Sequence, residues 1–153
     1  MFAIDVGRLF DGERVTRDGA VVMVDEARVL DVVPRGTPVP AGCAVTRFPD
    51  ATLLPGLIDT HVHLCGDSGP GALDRLAEFD DAELATIIER ALGTHLATGV
   101  TTVRDLGDRR GAVLDWRDRN RDNTTLPAVL GSGPPITSPR GHCWNMGGEA
   151  ADM

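Results

Sequence analysis

Cysteine is scarce in this chain: three residues in 153, Cys43, Cys65 and Cys143, an odd number in no regular spacing. That argues against a disulfide framework and for free thiols in a reducing compartment. Basic residues are also in short supply, with 15 Lys and Arg against 23 Asp and Glu, a formal charge of -8 and a pI near 4.8. A nucleic-acid surface needs clustered cations to displace counterions, so no nucleic-acid partner is expected. Long apolar runs are missing as well. Nowhere do roughly eighteen apolar residues follow one another, and the opening "MFAIDVGRLF" has neither a basic stretch nor a long apolar one. No membrane partner is expected, and the sequence reads as soluble and cytoplasmic.

What is present is globular in character: 42% apolar and 25% charged residues, enough for one domain, or one and a fraction. From Phe2 to Leu54, short apolar runs alternate with turn signals: "FAIDVGRLF", then Asp11-Gly12, then "DGAVVMVDEARVLDVV" and "AVTRFPDATLL". Val-rich strands of about four to seven residues joined by tight turns fit this pattern. "PRGTPVPAG", with its prolines and glycines and no apolar periodicity, reads as a loop between two of them. Residues 1–54 are therefore expected to form a small β-rich module.

The texture changes at Pro55. "GLIDTHV" is a buried-strand candidate. The following "DDAELATIIERALGTHLATG" places Leu84, Ile87, Ile88, Ala91 and Leu92 at helical spacing, with Asp80 or Asp81 as N-cap and Gly99 just past the end. "VTTVRDL" is short and β-branched, as a strand buried on both faces would be. A weaker helical segment around "GAVLDWRDRNRD" then leads to a third run, "PAVLGSG". The alternation predicts parallel βα units.

The string "PGLIDTHVHL" carries His61 and His63 at positions i and i+2. In a strand such residues project from one face, with Cα atoms roughly 6.5 Å apart. Two imidazoles so placed can converge on one divalent ion at Zn–N distances of about 2.0–2.1 Å if other ligands arrive from elsewhere. They can equally be two satisfied polar side chains, and spacing alone leaves both readings open.

"PGLIDTHVHL", preceded by a β-module and followed by a helix and "ATGVTTVRDLG", resembles the opening motif of the amidohydrolase superfamily. "GSGPPITSPRGHCWNMGGEA" is similar to the loop after the third barrel strand in the imidazolonepropionase-like and Xaa-Pro dipeptidase-like branch. The resemblance implies an α/β fold: residues 55–153 as the first three strands of an incomplete (β/α)8 TIM barrel, preceded in residues 1–54 by part of a small β-sandwich. It implies that His61 and His63 bind a divalent metal, usually zinc, in a centre of one or two ions. That metal would polarise a carbonyl and generate a hydroxide nucleophile from bound water, hydrolysing a C–N bond of a small-molecule substrate such as an amide, cyclic amide, ureide or dipeptide. His142 would reach the substrate from its loop, although a plain loop histidine is the competing reading.

A complete barrel takes about 250 residues, and the stretch from Pro55 to Met153 holds three strands at most. The family's bridging Lys or Glu, later histidines and final Asp have no counterpart in it. The expectation is an amino-terminal portion, inactive in isolation and prone to self-association through bare apolar faces. A non-catalytic β-rich interaction or metal-binding module derived from the same family is the alternative.

The remaining polar residues carry plainer expectations. Asp59, two positions before His61, should share its face and serve as a structural hydrogen-bond acceptor rather than a catalytic acid. Arg104 and Asp105 should face opposite ways, one into the barrel, with an ion pair or cap as their use. Cys65 shares the parity of the two histidines, but Gly66 ends the strand, so it is not expected to ligate. His95 is expected on the surface or between helices, Cys43 and Cys143 as structural thiols, and the pairs Asp80-Asp81 and Asp25-Glu26 as solvated or capping residues.

Overall fold

The structure, a computed structural model, describes residues 1–151. The chain divides into two compact units, Met1–Pro55 and Gly56–Met153.

The first unit is a single five-stranded sheet made of β1 (Phe2–Phe10), β2 (Val15–Thr16), β3 (Ala20–Asp25), β4 (Arg28–Pro34) and β5 (Ala44–Leu53). β1 is its centre. It pairs antiparallel with β3 from Phe2 to Val6 and with the short β2 at Leu9 and Phe10, while β5 runs parallel along it. The Asp11-Gly12 turn reverses the chain as its composition predicts, with the Asp11 carboxylate accepting the N–H groups of Glu13 and Arg14 at 2.8 and 2.7 Å. Those two bonds hold the Asp11 carboxyl below its ordinary range. β1 and β5 are longer than the short strands expected, and they pair in parallel, which a series of strands joined by tight turns does not predict. The pairing bends at Gly7, where the register shifts and where an added Cβ would lie 1.9 Å from the Pro49 carbonyl oxygen. Ala3, Val6, Ala20, Val21 and Val22 are buried, whereas β4 is exposed along nearly its whole length.

The second unit has a three-stranded parallel sheet in the order β6 (Leu57–Val62), β7 (Val100–Asp105), β8 (Ala128–Gly131). Helix α1 (Asp81–Ala97) connects the first two strands and α2 (Ala112–Arg119) the last two, so the unit is two successive βα steps, as the alternation of runs predicts. α1 opens on a capping box: the Asp80 carboxylate accepts from Ala82 and Glu83 N–H at 2.9 and 2.8 Å, and Glu83 returns a bond to Asp80 N–H at 2.9 Å. It closes at Gly99, whose φ of +89° is the left-handed conformation that glycine adopts without penalty. Between these ends Leu84, Ile87, Ile88 and Leu92 fall on the buried face. Leu84, Ile88 and Leu92 join Leu64, Cys65, Leu76, Val103, Val113, Trp116 and Met146 in one core. Each such large aliphatic side chain contributes about 1.5–3 kcal/mol on burial. Trp116 Nε1 donates to Glu89 at 3.2 Å and ties α2 to α1.

The helices cover one face of this sheet. Val103 and Val129 lie opposite one another on the covered face, while Ile58, Arg104 and Leu130 lie on the other and are exposed. The expectations of a buried strand for "GLIDTHV" and of burial on both faces for "VTTVRDL" are therefore corrected: among the described residues the sheet is packed on one side only.

Candidate metal centre

β6 ends at Val62, so His61 is its penultimate residue and His63 the first beyond it. Both sit at the carboxyl end of a parallel strand, where side chains of βα structures converge on ligands. Val62 packs against the helix-covered core, and strand alternation turns its two neighbours to the open face. The imidazole rings lie 5.4 Å apart between centroids, at an interplanar angle of 71°.

Asp59 does not share that face. It lies opposite Val103, while Val62 lies opposite Asp105, so β6 spends one residue more than β7 over the same span. The extra residue is a bulge, and it reverses the parity of everything after it. Asp59 thus faces the helix side, 3.7 Å from His95 Nε2 of α1, and accepts the His61 backbone N–H at 3.1 Å. The expected structural acceptor role fits, and the expected shared face is corrected. His95 is held within its helix by Nδ1 at 2.8 Å from the Ala91 carbonyl.

His63 is the better positioned of the pair. Its Nδ1 lies 2.9 Å from the Gly107 carbonyl oxygen. A carbonyl only accepts, so Nδ1 carries the proton and Nε2 keeps the lone pair. Gly107 leaves just enough room, since a Cβ there would come within 3.3 Å of His63 Cε1 and 3.4 Å of Nδ1.

Asp105 closes β7 and is fully buried. Its carboxylate accepts Leu64 N–H at 2.7 Å and Gly107 N–H at 3.1 Å. Burial pushes the carboxyl up to about 6, against the pull of those two donors. Arg104 stands on the opposite face, and of the two uses expected for the pair, an ion pair or a cap, Asp105 takes the cap. Asp108, also fully buried, accepts the N–H groups of Gly111, Val113 and Leu114 at 2.9, 3.0 and 3.4 Å and so caps the start of α2. Neither Gly107 nor Asp108 stood out in the sequence. The legible signal was the string "RDLGD", two carboxylates around a glycine between a strand and a helix.

Cys65 is completely buried in the core, and burial raises its thiol to about 11. A thiol so protonated is neither a ready ligand nor a nucleophile. His142 is exposed on the loop after β8, beside a cavity of about 540 Å³ lined by Leu73, Asp74, Cys143 and Trp144 among others. That loop is anchored over the strand ends: Asn145 Nδ2 donates to the Leu73 carbonyl, Arg110 N–H donates to the Met146 carbonyl at 3.1 Å, and the Met146 side chain is fully buried. Among the described residues no group of three or more His, Cys, Asp or Glu is close enough together to hold a metal ion. His61 and His63 are thus brought together without His142. The donor set still suits a divalent ion in part, with two imidazoles at one strand end and one of them carrying a defined free Nε2.

Parallel βα steps with paired histidines at the carboxyl end of the first strand define an α/β protein of the kind that builds sites at its strand ends. The amidohydrolase family model matches residues 52–142, and the chain belongs to that family. Allantoinase of Streptomyces avermitilis is 44% identical over 100 residues, which cover 63% of this chain and 22% of the allantoinase. Among solved structures, phenylurea hydrolase B shares 29% identity at a TM-score of 0.69, covering 88% of this chain and 31% of that one. A Xaa-Pro dipeptidase with methionine bound in its active site shares the fold, with a TM-score of 0.78 at 23% identity, covering 98% of this chain and 37% of the dipeptidase. The chain therefore spans between about a fifth and two fifths of the length of these relatives. No helix among the described residues is long and apolar enough to cross a membrane.

Proposed function

We propose that this chain is the amino-terminal portion of a metal-dependent amidohydrolase that cleaves C–N bonds of small amide, cyclic amide, ureide or dipeptide substrates. In this reading β6, β7 and β8 are the first three strands of a (β/α)8 barrel, and the Met1–Pro55 sheet is part of an adjoining sandwich. The observation that carries it is the Nδ1–H of His63 committed to the Gly107 carbonyl at 2.9 Å, which leaves Nε2 free beside His61. Metal-ligating histidines are held in this way, with the second nitrogen fixed by a carbonyl or carboxylate.

His61 and His63 would hold the ion, zinc being the expected one. When bound, a divalent metal supplies Lewis-acid polarisation of a carbonyl and a more acidic water. The chain's own residues orient that centre: Gly107 fixes the His63 ring, and the buried core beneath Val62 fixes the strand end. His142 contacts substrate from its loop and is no ligand. Two protein ligands are fewer than the three of catalytic zinc sites, so the 153-residue chain alone is expected to bind zinc weakly and to hydrolyse nothing. The absence of a third nearby ligand among the described residues also favours a second reading, a non-catalytic metal-binding module of the same descent.

Zinc titration against a chromophoric chelator tests the assignment. Weak binding is expected, abolished in His61→Ala and in His63→Ala and retained in His142→Ala. Binding that survives both of the first two substitutions overturns the assignment. Metal-dependent turnover of a dipeptide or cyclic amide by the chain alone overturns the expected inactivity.

A further inference from the structure

We propose that Asp105 is the positioning residue for His63, fixing the ring's tautomer and orientation through the backbone on both sides of it. The inference rests on the reading of His63 as a metal ligand for its purpose, but the hydrogen-bond chain stands without any metal.

One carboxylate reaches two peptide groups that flank the imidazole. Oδ2 accepts the N–H of Leu64, the residue directly after His63, at 2.7 Å. Oδ1 accepts the N–H of Gly107 at 3.1 Å, and the carbonyl of the same Gly107 takes the His63 Nδ1–H at 2.9 Å. The chain from Asp105 to His63 therefore passes through a single residue, one whose missing side chain makes room for the ring. Asp105 is fully buried and forms no ion pair among the described residues. Burying a carboxylate with only backbone donors is costly, and an apolar residue at the end of β7 would avoid that cost. What the carboxylate supplies is a fixed geometry for the loops after β6 and β7, and through them a His63 that presents Nε2. Asp108, equally buried, differs in the direction of its bonds, because all three of its donors belong to the start of α2.

Long-range ¹H–¹⁵N correlation spectra of the metal-free chain read the tautomer directly. Neutral His63 is expected to carry its proton on Nδ1, against the Nε2–H form that free imidazole side chains favour. An Nε2–H His63 in the unsubstituted chain overturns the proposal whatever the variants do. In Asp105→Asn the amide oxygen can accept only one of the two N–H groups, and its NH2 opposes the other. His63 should then become a mixture of tautomers, and zinc affinity should fall about tenfold to a hundredfold, the range for loss of groups that support a ligand. Asp105→Ser, smaller and neutral, is the second variant should the amide not fold. Asp108→Asn, which loosens α2 instead, should leave the His63 tautomer unchanged. A folded Asp105 variant with His63 still Nδ1-protonated and zinc affinity intact overturns the proposal. A tautomer change in the variants with no zinc binding in any form of the chain would leave Asp105 as the positioning residue and overturn the metal assignment alone.

Discussion

Asp105 sits where a strand ends, a loop turns and a histidine ring is held, and its burial has a sign that can be measured. With its carboxyl pushed up to about 6, the folded chain holds that proton more tightly than the unfolded one does. Its contribution to stability is therefore fully present below the ordinary carboxylate range and is lost as pH rises through about 6. Urea unfolding of the wild type and of Asp105→Asn at several pH values between about 4 and 7 separates this group from the others. The stability of the wild type relative to the variant should fall across that window, and a constant difference would contradict the burial. At this scale the sequence was informative about His61 and His63, because a two-residue period needs no knowledge of neighbours. It misplaced Asp59 for the same reason. The bulge between Asp59 and Val62 exists only in the pairing with β7, about forty residues further on, and no local pattern records it. Asp105 was legible as a residue for an ion pair or a cap at a strand end, with Gly107 two residues on, but its second donor, Leu64, lies beyond α1 and could not be read from its neighbours.

Helix α1 is the element most fully written in its own residues. Asp80, Glu83 and Gly99 mark its ends, and the buried stripe from Leu84 to Leu92 follows the helical period. Asp80→Ala removes the acceptor for two N–H groups and should cost about 1 kcal/mol, seen as a lower urea midpoint with an unchanged slope. A variant as stable as the wild type would show that the packing of the stripe alone sets the start of the helix. The strands were harder to read. β2 has only two residues, too few to carry a period, and the parallel partnership of β1 with β5 joins segments separated by three other strands and the proline-rich loop. Composition marked that loop correctly, since proline and glycine act locally, but it says nothing of which strands the loop brings together. The path of the loop carrying His142 was hidden in the same way. Its anchors, Leu73, Arg110 and buried Met146, lie on three different loops.

At the scale of the whole molecule, several apolar side chains among the described residues are exposed. Ile58 and Leu130 share the open face of the β6–β7–β8 sheet and are 64% and 58% exposed. On the edge strand β4, Val29 and Leu30 are 63% and 57% exposed. Apolar faces and unpaired strand edges of this kind associate. We expect the 153-residue chain to sediment as more than a monomer, and Ile58→Thr with Leu130→Thr to shift it towards the monomer without loss of secondary structure. A monodisperse wild-type monomer would show that these faces do not drive association. The same open face is the one to which His61 and His63 turn, so the exposed apolar residues of the sheet and the proposed metal ligands belong to one side of the unit.

We propose that these two histidines, and neither His95 nor His142, form a divalent-metal site at the end of β6. Imidazole ¹⁵N spectra recorded while zinc is added test it most directly. The Nε2 resonance of His63 and a ring nitrogen of His61 are expected to move together and to saturate only with zinc well in excess, while those of His95 and His142 stay in place. Zinc that leaves both His61 and His63 unmoved, or that first moves His95 or His142, would contradict it.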